Sequence, residues 1–425
     1  MDLLWFVGFQ LTLFYNFKIA MSPSVRNLVL IFAAAAMRSF GIGLLGVVLG
    51  VFLYRKGFSS TSIGLVIAAG LAGSAAATVV TTMSADRLGR RKILLVLSLL
   101  SAPGALPFIF HWSSIALIPM AFIGMVNGMG TDRSAAFALE QAVIPGLVPN
   151  QRRTWTLAWY SVVLDASGAL GALAGGFPIL ASRVWGVDLA ASYQILFAGY
   201  GALSVCGSLL YLWLSPEVEV PPGDTGAVTR TIVSPKTKST ISKLSALFAI
   251  DSFGGGFLTD ALVAYWFFRR FGIAENQLAL LFFTIHVLNA LSHLGAAALA
   301  RRIGLVNTMV FTHLPSSIFL IAAGFAPSAR WAVILFLLRE ALVEMDVPTR
   351  QSYVAAVVRP EERTFASGVT NLTRNISWAA ASSVAGVFMQ KVAFSAPLLL
   401  GGGLKIIYDL LLYRSFRHVA APEEK

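Results

Sequence analysis

A chain of 425 residues that is 57% hydrophobic and only 12% charged falls far below the roughly 25% charged residues of soluble domains, which excludes a water-soluble globular fold. Each bilayer crossing takes about 20 apolar residues, so the length holds about a dozen crossings and no large soluble appendage. The formal charge of +12 would suit a nucleic-acid partner only if it clustered on one exposed face; the basic residues instead sit in short loops, and the single cysteine, Cys206, offers neither a disulfide nor a thiolate zinc site.

The chain opens on the apolar stretch MDLLWFVGFQLTLFYNF. It lacks a basic n-region and a small-residue cleavage site, so it is a poor signal peptide, and residues 1–27 read as an interfacial segment or a start-codon artefact. Apolar runs bounded by charge and by Gly/Pro punctuation then predict spans near 28–54, 62–83, 93–111, 115–143, 155–180 and 191–214, a first half over 28–214. Residues 215–243, SPEVEVPPGDTGAVTRTIVSPKTKSTISK, have the Pro, Gly, Ser and Thr content of a flexible linker. A second half over 244–414 follows, with spans near 244–268, 277–299, 305–325, 331–356, 365–389 and 395–413, and then a tail over 415–425.

With the N-terminus in the cytoplasm, nineteen Lys and Arg fall on the cytoplasmic side and seven on the other: Arg55, Lys56, Arg183, Arg269, Arg270, Arg330 and Lys391. That asymmetry obeys the positive-inside rule and predicts cytoplasmic termini and linker. Trp112, Trp213, Trp266 and Trp331 stand at predicted span ends, where an aromatic belt would place them.

The two halves repeat one another. MRSFGIG at 37–43 matches IDSFGGG at 250–256, and VPNQRRT at 148–154 matches RPEERT at 359–364; each of the second pair opens a long helix rich in Gly, Ala and Ser. SADRLGRRK at 84–92 resembles the signature loop between spans two and three of the major facilitator superfamily, Gly-x-x-x-Asp-Arg-x-Gly-Arg-Arg. Asp86, Arg87, Gly89, Arg90 and Arg91 match it, and Thr82 replaces its leading glycine. In the second half the matching loop, LARRIGLV at 299–306, keeps Arg302 and Gly304 and has Arg301 where the Asp would be. The resemblance implies an all-α membrane protein with twelve transmembrane helices in two pseudo-symmetric six-helix halves and substrate near the midplane between them. It also implies a conformational latch of Asp86, Arg87, Gly89, Arg90, Arg91 and Glu140. In that latch Asp86 caps span eleven near Thr364 and Arg90 reaches Glu140. Drug antiporters of the family carry Gly-Pro-x-x-Gly-Gly on span five; Gly171–Gly176 stands in that register with Ala172 in place of the proline, and such glycines also serve plain helix contact.

Ionisable residues within spans are costly and mark functional sites by default. The candidates for a substrate and proton path are Arg38, Asp132, Arg133, Asp165, Asp251, Glu340, Glu344 and Arg374. Repeat-equivalent positions carry opposite charge, Arg38 against Asp251 and Glu140 against Arg350. Arg38 and Asp251 could therefore pair across the pseudo-two-fold axis, or pair only within their own halves. Asp132 and Glu140 share a stripe of span four, Glu340 and Glu344 a stripe of span ten, and neighbouring carboxylates in a low-dielectric site are reasonable proton carriers. Asp346 and Arg350 are one turn apart and should pair locally. His286, Asn289, His293 and His313 suggest satisfied buried imidazoles before a metal path.

No Walker loop, nucleophile elbow or zinc-protease helix is present. The expectation is thus not an enzyme but a proton-coupled secondary transporter in the inner (cytoplasmic) membrane. It would move a small organic solute by alternating access, with export ahead of symport of an anionic metabolite through Arg38, Arg133 and Arg374. It would work as a monomer in the lipid bilayer, with no nucleic-acid partner, no metal and no cofactor beyond the proton gradient. A sensor or scaffold on the same fold is the rival of another class.

Overall fold

A computed structural model describes residues 22–110, 114–132, 134–149, 152–219, 234–358 and 362–417. Among these residues the chain is helical throughout. The first half consists of α1 (Pro23–Arg55), α2 (Ser60–Leu88), α3 (Arg90–Ser101), α4 (Leu106–Ile109), α5 (Ser114–Gly124), α6 (Ala135–Val143), α7 (Arg153–Ala174), α8 (Phe177–Trp185) and α9 (Leu189–Leu210). The second consists of α10 (Pro235–Gly256), α11 (Asp260–Phe271), α12 (Glu275–Ile303), α13 (Leu305–Gly324), α14 (Ala329–Val343), α15 (Asp346–Ala356), α16 (Arg363–Lys391) and α17 (Ala396–Phe416).

Nine of the described stretches are long and apolar enough to cross a membrane. The remaining crossings of the twelve-span chain are α5 with α6, α14 with α15, and α16. The first two fall short because each is broken, into helices of 11 and 9 residues and of 15 and 11 residues; α16 is 29 residues long but rich in Ser, Thr and Asn.

Spans three, four, five, seven and ten, expected as single helices, are each made of two pieces. The break in span four is the longest, and its backbone explains it: Gly128 and Gly130 lie at φ +62° and +87°, and Met125 at +55°, a left-handed region open mainly to glycine. Irregular backbone at membrane depth persists only where protein or an aqueous cavity covers it.

Within each half the repeat is visible in the packing. A Cβ on Gly43 of α1 would lie 2.1 Å from the carbonyl oxygen of Gly168 on α7, and one on Gly256 of α10 would lie 2.6 Å from that of Trp378 on α16. Span one thus seats on span five, and span seven on span eleven, through matched glycines.

The apolar cores show how the halves meet. On the side away from the termini one core runs through both, from Leu44, Phe52 and Phe197 to Phe257, Trp266 and Phe282. Toward the termini each half has a core of its own, one around Ile31, Tyr160 and Tyr211 and one around Phe248, Tyr353 and Tyr408. The halves are therefore joined at one end and individually packed at the other. Polar contacts reinforce the joined end: Arg55 donates to Glu275 at 2.7 Å, Tyr193 donates to the same carboxylate, Ser60 and Tyr265 share a 2.8 Å hydrogen bond, and Thr61 donates to Gln390 at 2.6 Å.

Trp213 and Trp331 are half exposed at span ends, as a belt residue should be. Trp266 is not: it is fully buried and donates from Nε1 to Ser395 at 3.0 Å, because the second piece of span seven lies inside the joint between the halves. Trp112 lies outside the described residues.

Candidate functional site

Arg38 projects from the middle of α1 into a pocket closed by tyrosines. Its Nε donates to Asp132 at 2.7 Å, its Nη2 to Glu140 at 2.5 Å, and its Nη1 to Glu140 at 3.2 Å and to the Tyr211 hydroxyl at 3.0 Å. Tyr160 donates to Glu140 at 2.5 Å, and Tyr211 donates to it as well. Glu140 is wholly buried, so this ring of donors is what makes a carboxylate tolerable there. Guanidinium geometry suits such service, since its fixed fork of donors can engage two carboxylates at once.

The backbone break of span four shapes the space beside this cluster. Asn127 folds onto its own loop, accepting from the Met129 amide at 2.9 Å and donating to the Met125 carbonyl at 3.0 Å. Asp132 accepts from the Ser134 amide at 3.0 Å, and Ser134 caps α6 by accepting from Phe137. One side of Asp132 thereby ends the loop while the other grips Arg38. A cavity opens here, lined by Arg38, Asn127, Thr131 and Tyr200 from the first half and by Asn375 and Trp378 from the second. Met37, Met125, Met129 and Leu97 supply apolar wall.

A second buried cluster occupies the equivalent place in the other half. Lys405 on α17 donates to Asp251 on α10 at 2.8 Å, with Arg350 3.6 Å and His313 3.7 Å from the same carboxylate. His313 Nδ1 meets Asp409 at 2.9 Å, and its Nε2 lies 3.3 Å from Lys405. Arg350 also pairs with Asp346 one turn away, the local pair that the spacing implies. Arg374 donates to Ser252 at 3.0 Å and covers the ring of Trp378, 4.7 Å from its centroid.

Arg38 and Asp251 do not pair across the axis. Each is answered inside its own half, Arg38 by the carboxylates of Asp132 and Glu140 and Asp251 by Lys405, Arg350 and His313. Nor does Arg90 answer Glu140, whose oxygens are taken by Arg38, Tyr160 and Tyr211. The signature loop is tied from elsewhere: Glu219, at the start of the linker, accepts from the backbone amides of Arg90 at 2.6 Å and Arg91 at 3.2 Å, and the Arg91 side chain donates to the Leu212 carbonyl. Arg87 lies exposed on the last turn of α2, and Gly89 makes the turn into α3 at φ +98°. Arg133 and the side chains of Asp86 and Thr364 lie outside the described residues.

Asp165 is half-buried on α7. Glu340 is buried and pairs with its neighbour Arg339. Glu344 ends α14, within electrostatic range of Asp260 and His286. Lys405, His313 and Asp409 belong to the second cluster although spacing alone gave no reason to group them; their shared membership appears only when α13 packs on α17. Glu275 was missed because it sits at a span end, where a carboxylate is ordinarily solvated, yet here it is wholly buried.

The family model described as Major Facilitator Superfamily matches residues 31–381. The chain is 26% identical over 445 residues to a Saccharomyces cerevisiae protein described as an uncharacterized membrane protein, YJR124C, covering 97% of this chain and 98% of that one. Among solved structures it superimposes on a D-xylose-proton symporter with a TM-score of 0.73 at 14% identity, covering 95% of this chain and 99% of that one. On the nucleoside transporter NupG the TM-score is 0.69 at 14% identity, covering 94% and 100%.

Proposed function

The chain belongs to the major facilitator superfamily, and on that premise we propose that it is a proton-coupled secondary transporter that moves a small organic solute by alternating access of its two halves. The observation that carries this reading is the broken backbone of span four, which lines a cavity between the halves beside a buried, fully answered ion cluster. Unwound backbone and interior charge at that depth are what a solute path requires and what a static bundle avoids.

The cavity favours an amphipathic, uncharged or weakly charged compound. Arg38 is neutralised by Asp132 and Glu140, and Arg374 is committed to Ser252 and Trp378. An anion would have to displace those partners, which counts against symport of an anionic metabolite. The methionine, leucine and tryptophan walls favour an organic compound that partitions from the bilayer, and for that reason export is the direction we propose. Gly171–Gly176 adds nothing to it, since a Cβ on Gly171 would lie 1.9 Å from the Phe40 carbonyl oxygen and one on Gly176 3.1 Å from Asn276, so these glycines are accounted for by helix contact.

With the termini cytoplasmic, as the distribution of basic residues supports, the joined end faces away from the cytoplasm and the conformation is inward-facing. The test is solute flux in proteoliposomes under an imposed pH gradient, with amphipathic and anionic compounds offered in parallel. Flux of amphipathic compounds that follows the gradient supports the reading; flux of anions alone would replace it with symport.

A further inference from the structure

Asp260 occupies the point where the halves touch, and neither ion cluster uses it. It is the first residue of α11, capped by Thr259. The next amide, of Ala261, donates across the joint to the Gly128 carbonyl at 3.0 Å. Its carboxylate lies flat against the span-four loop: a Cβ on Gly130 would fall 1.9 Å from Oδ2, and one on Gly46 of α1 would fall 3.0 Å from the Asp260 Cβ. Two glycines of the first half thus form the seat for one acidic side chain of the second.

The neighbours of that carboxylate are incomplete. His286 Nε2 on α12 stands 3.6 Å away, beyond hydrogen-bond length, and is itself a buried nitrogen without a hydrogen-bond partner. One turn along α12, the Asn289 Oδ1 is in the same condition. The other charged groups that act on Asp260 are Arg339 and Glu344 of α14; the surfaces of α1 and of the span-four loop that face it are glycine. The Asp260 side chain is nonetheless one-fifth exposed, so water can reach one side of it.

We propose that Asp260, with His286 beside it, is a proton-binding site whose occupancy decides whether the two halves stay joined. A neutral carboxyl can lie against Gly130 and Gly46 at little electrostatic cost. A carboxylate there keeps only part of its hydration and faces backbone that offers it no donor, and it regains the rest of its hydration when the halves part. Proton binding therefore favours the joined end, and proton loss favours opening on the side away from the termini. This rests on the transport reading only in assigning the proton to coupling; the linkage between proton and conformation stands without any solute.

The test uses the full chain in lipid nanodiscs with spin labels at Lys56→Cys and Lys391→Cys, two exposed positions on opposite halves at the joined end, on a Cys206→Ser background. Distances are read between about pH 5.5 and about pH 8.5. One linked proton changes the ratio of joined to parted molecules by up to about tenfold per pH unit. The unmodified site should lengthen the distance as pH rises, and Asp260→Asn should hold it short throughout, with Asp260→Glu restoring the pH response. A shift unchanged in Asp260→Asn, or no shift in the parent, overturns the proposal. Gradient-driven flux in the parent protein is scored separately. Loss of flux with the distance response intact would remove the coupling role and leave the proton site standing.

Discussion

Arg38 and Glu140 form in the first half the ion pair that Asp251 and Arg350 form in the second with the charges exchanged. The α1 guanidinium reaches the α6 carboxylate at 2.5 Å, while the α10 carboxylate lies 3.6 Å from the α15 guanidinium. The repeat has preserved a position for opposite charges while the sign at each position has swapped. Removing one partner of a buried pair costs about 3–5 kcal/mol, because the survivor stays buried and unanswered. Arg38→Gln leaves Asp132 and Glu140 facing each other, whereas Glu140→Gln leaves Arg38 still answered by Asp132. Thermal unfolding followed by tryptophan fluorescence should therefore show the larger loss for Arg38→Gln, with part of it recovered in the double variant.

The glycine contacts divide into positions that no side chain can share and positions that are open. Gly43→Ala would press a methyl group onto the Gly168 carbonyl oxygen at 2.1 Å inside the first half, and should lower the yield of folded protein. Gly386→Ala would do the same at 2.0 Å from the Ser60 carbonyl oxygen, but between the halves. It should leave folding intact and part the joined end, read as a longer distance across it. Gly403, with nothing within 4 Å, should accept alanine at no cost and with a gain of up to about 1 kcal/mol from helix propensity.

Glu275 anchors the joined end through Arg55 and Tyr193. Tyr54 packs against Tyr265 and Phe268 across that joint, so a cysteine placed there reports its opening. Labelling of Tyr54→Cys by a membrane-impermeant maleimide should speed up severalfold when Glu275→Gln is added, since an unanswered Arg55 no longer ties α1 to α12. Equal rates in the two backgrounds would assign the joint to apolar packing alone.

Each half has a carboxylate that caps a helix at its termini-side face. Glu219 accepts from the Arg90 amide at 2.6 Å, and Glu362 accepts from the Ser234 amide at 2.6 Å and from the Thr237 hydroxyl at 2.5 Å. Glu219→Ala and Glu362→Ala should each cost about 0.5–2 kcal/mol of stability, the range of lost helix caps, measurable as a lower unfolding midpoint.

The order of the spans, their approximate bounds, the two-half repeat and the family were legible in the sequence, because apolar runs and charged loops are one-dimensional signals. The breaks in spans three, four, five, seven and ten were not. Gly128 and Gly130 sit in a run that reads as apolar helix, and only their positive φ reveals a loop. Candidate residues were recognisable as costly charges, but their partners were not. Arg38 is matched to Asp251 by the repeat, yet it pairs with Asp132 and Glu140 on span four of its own half. Trp266 looked like a belt residue because it precedes Arg269 and Arg270, and it is buried because the second piece of span seven turns into the joint.

The central claim is that solute crosses beside the broken span four under the drive of a proton gradient. Its most direct test is uptake or release of amphipathic compounds by proteoliposomes with and without a pH gradient, for the parent protein beside Trp378→Ala, which removes cavity wall from the second half. The account requires gradient-dependent flux in the parent and a loss of about tenfold in the variant, equivalent to about 1.4 kcal/mol of lost stabilisation. Flux of equal size with and without the gradient, or a variant that transports as well as the parent, would contradict it.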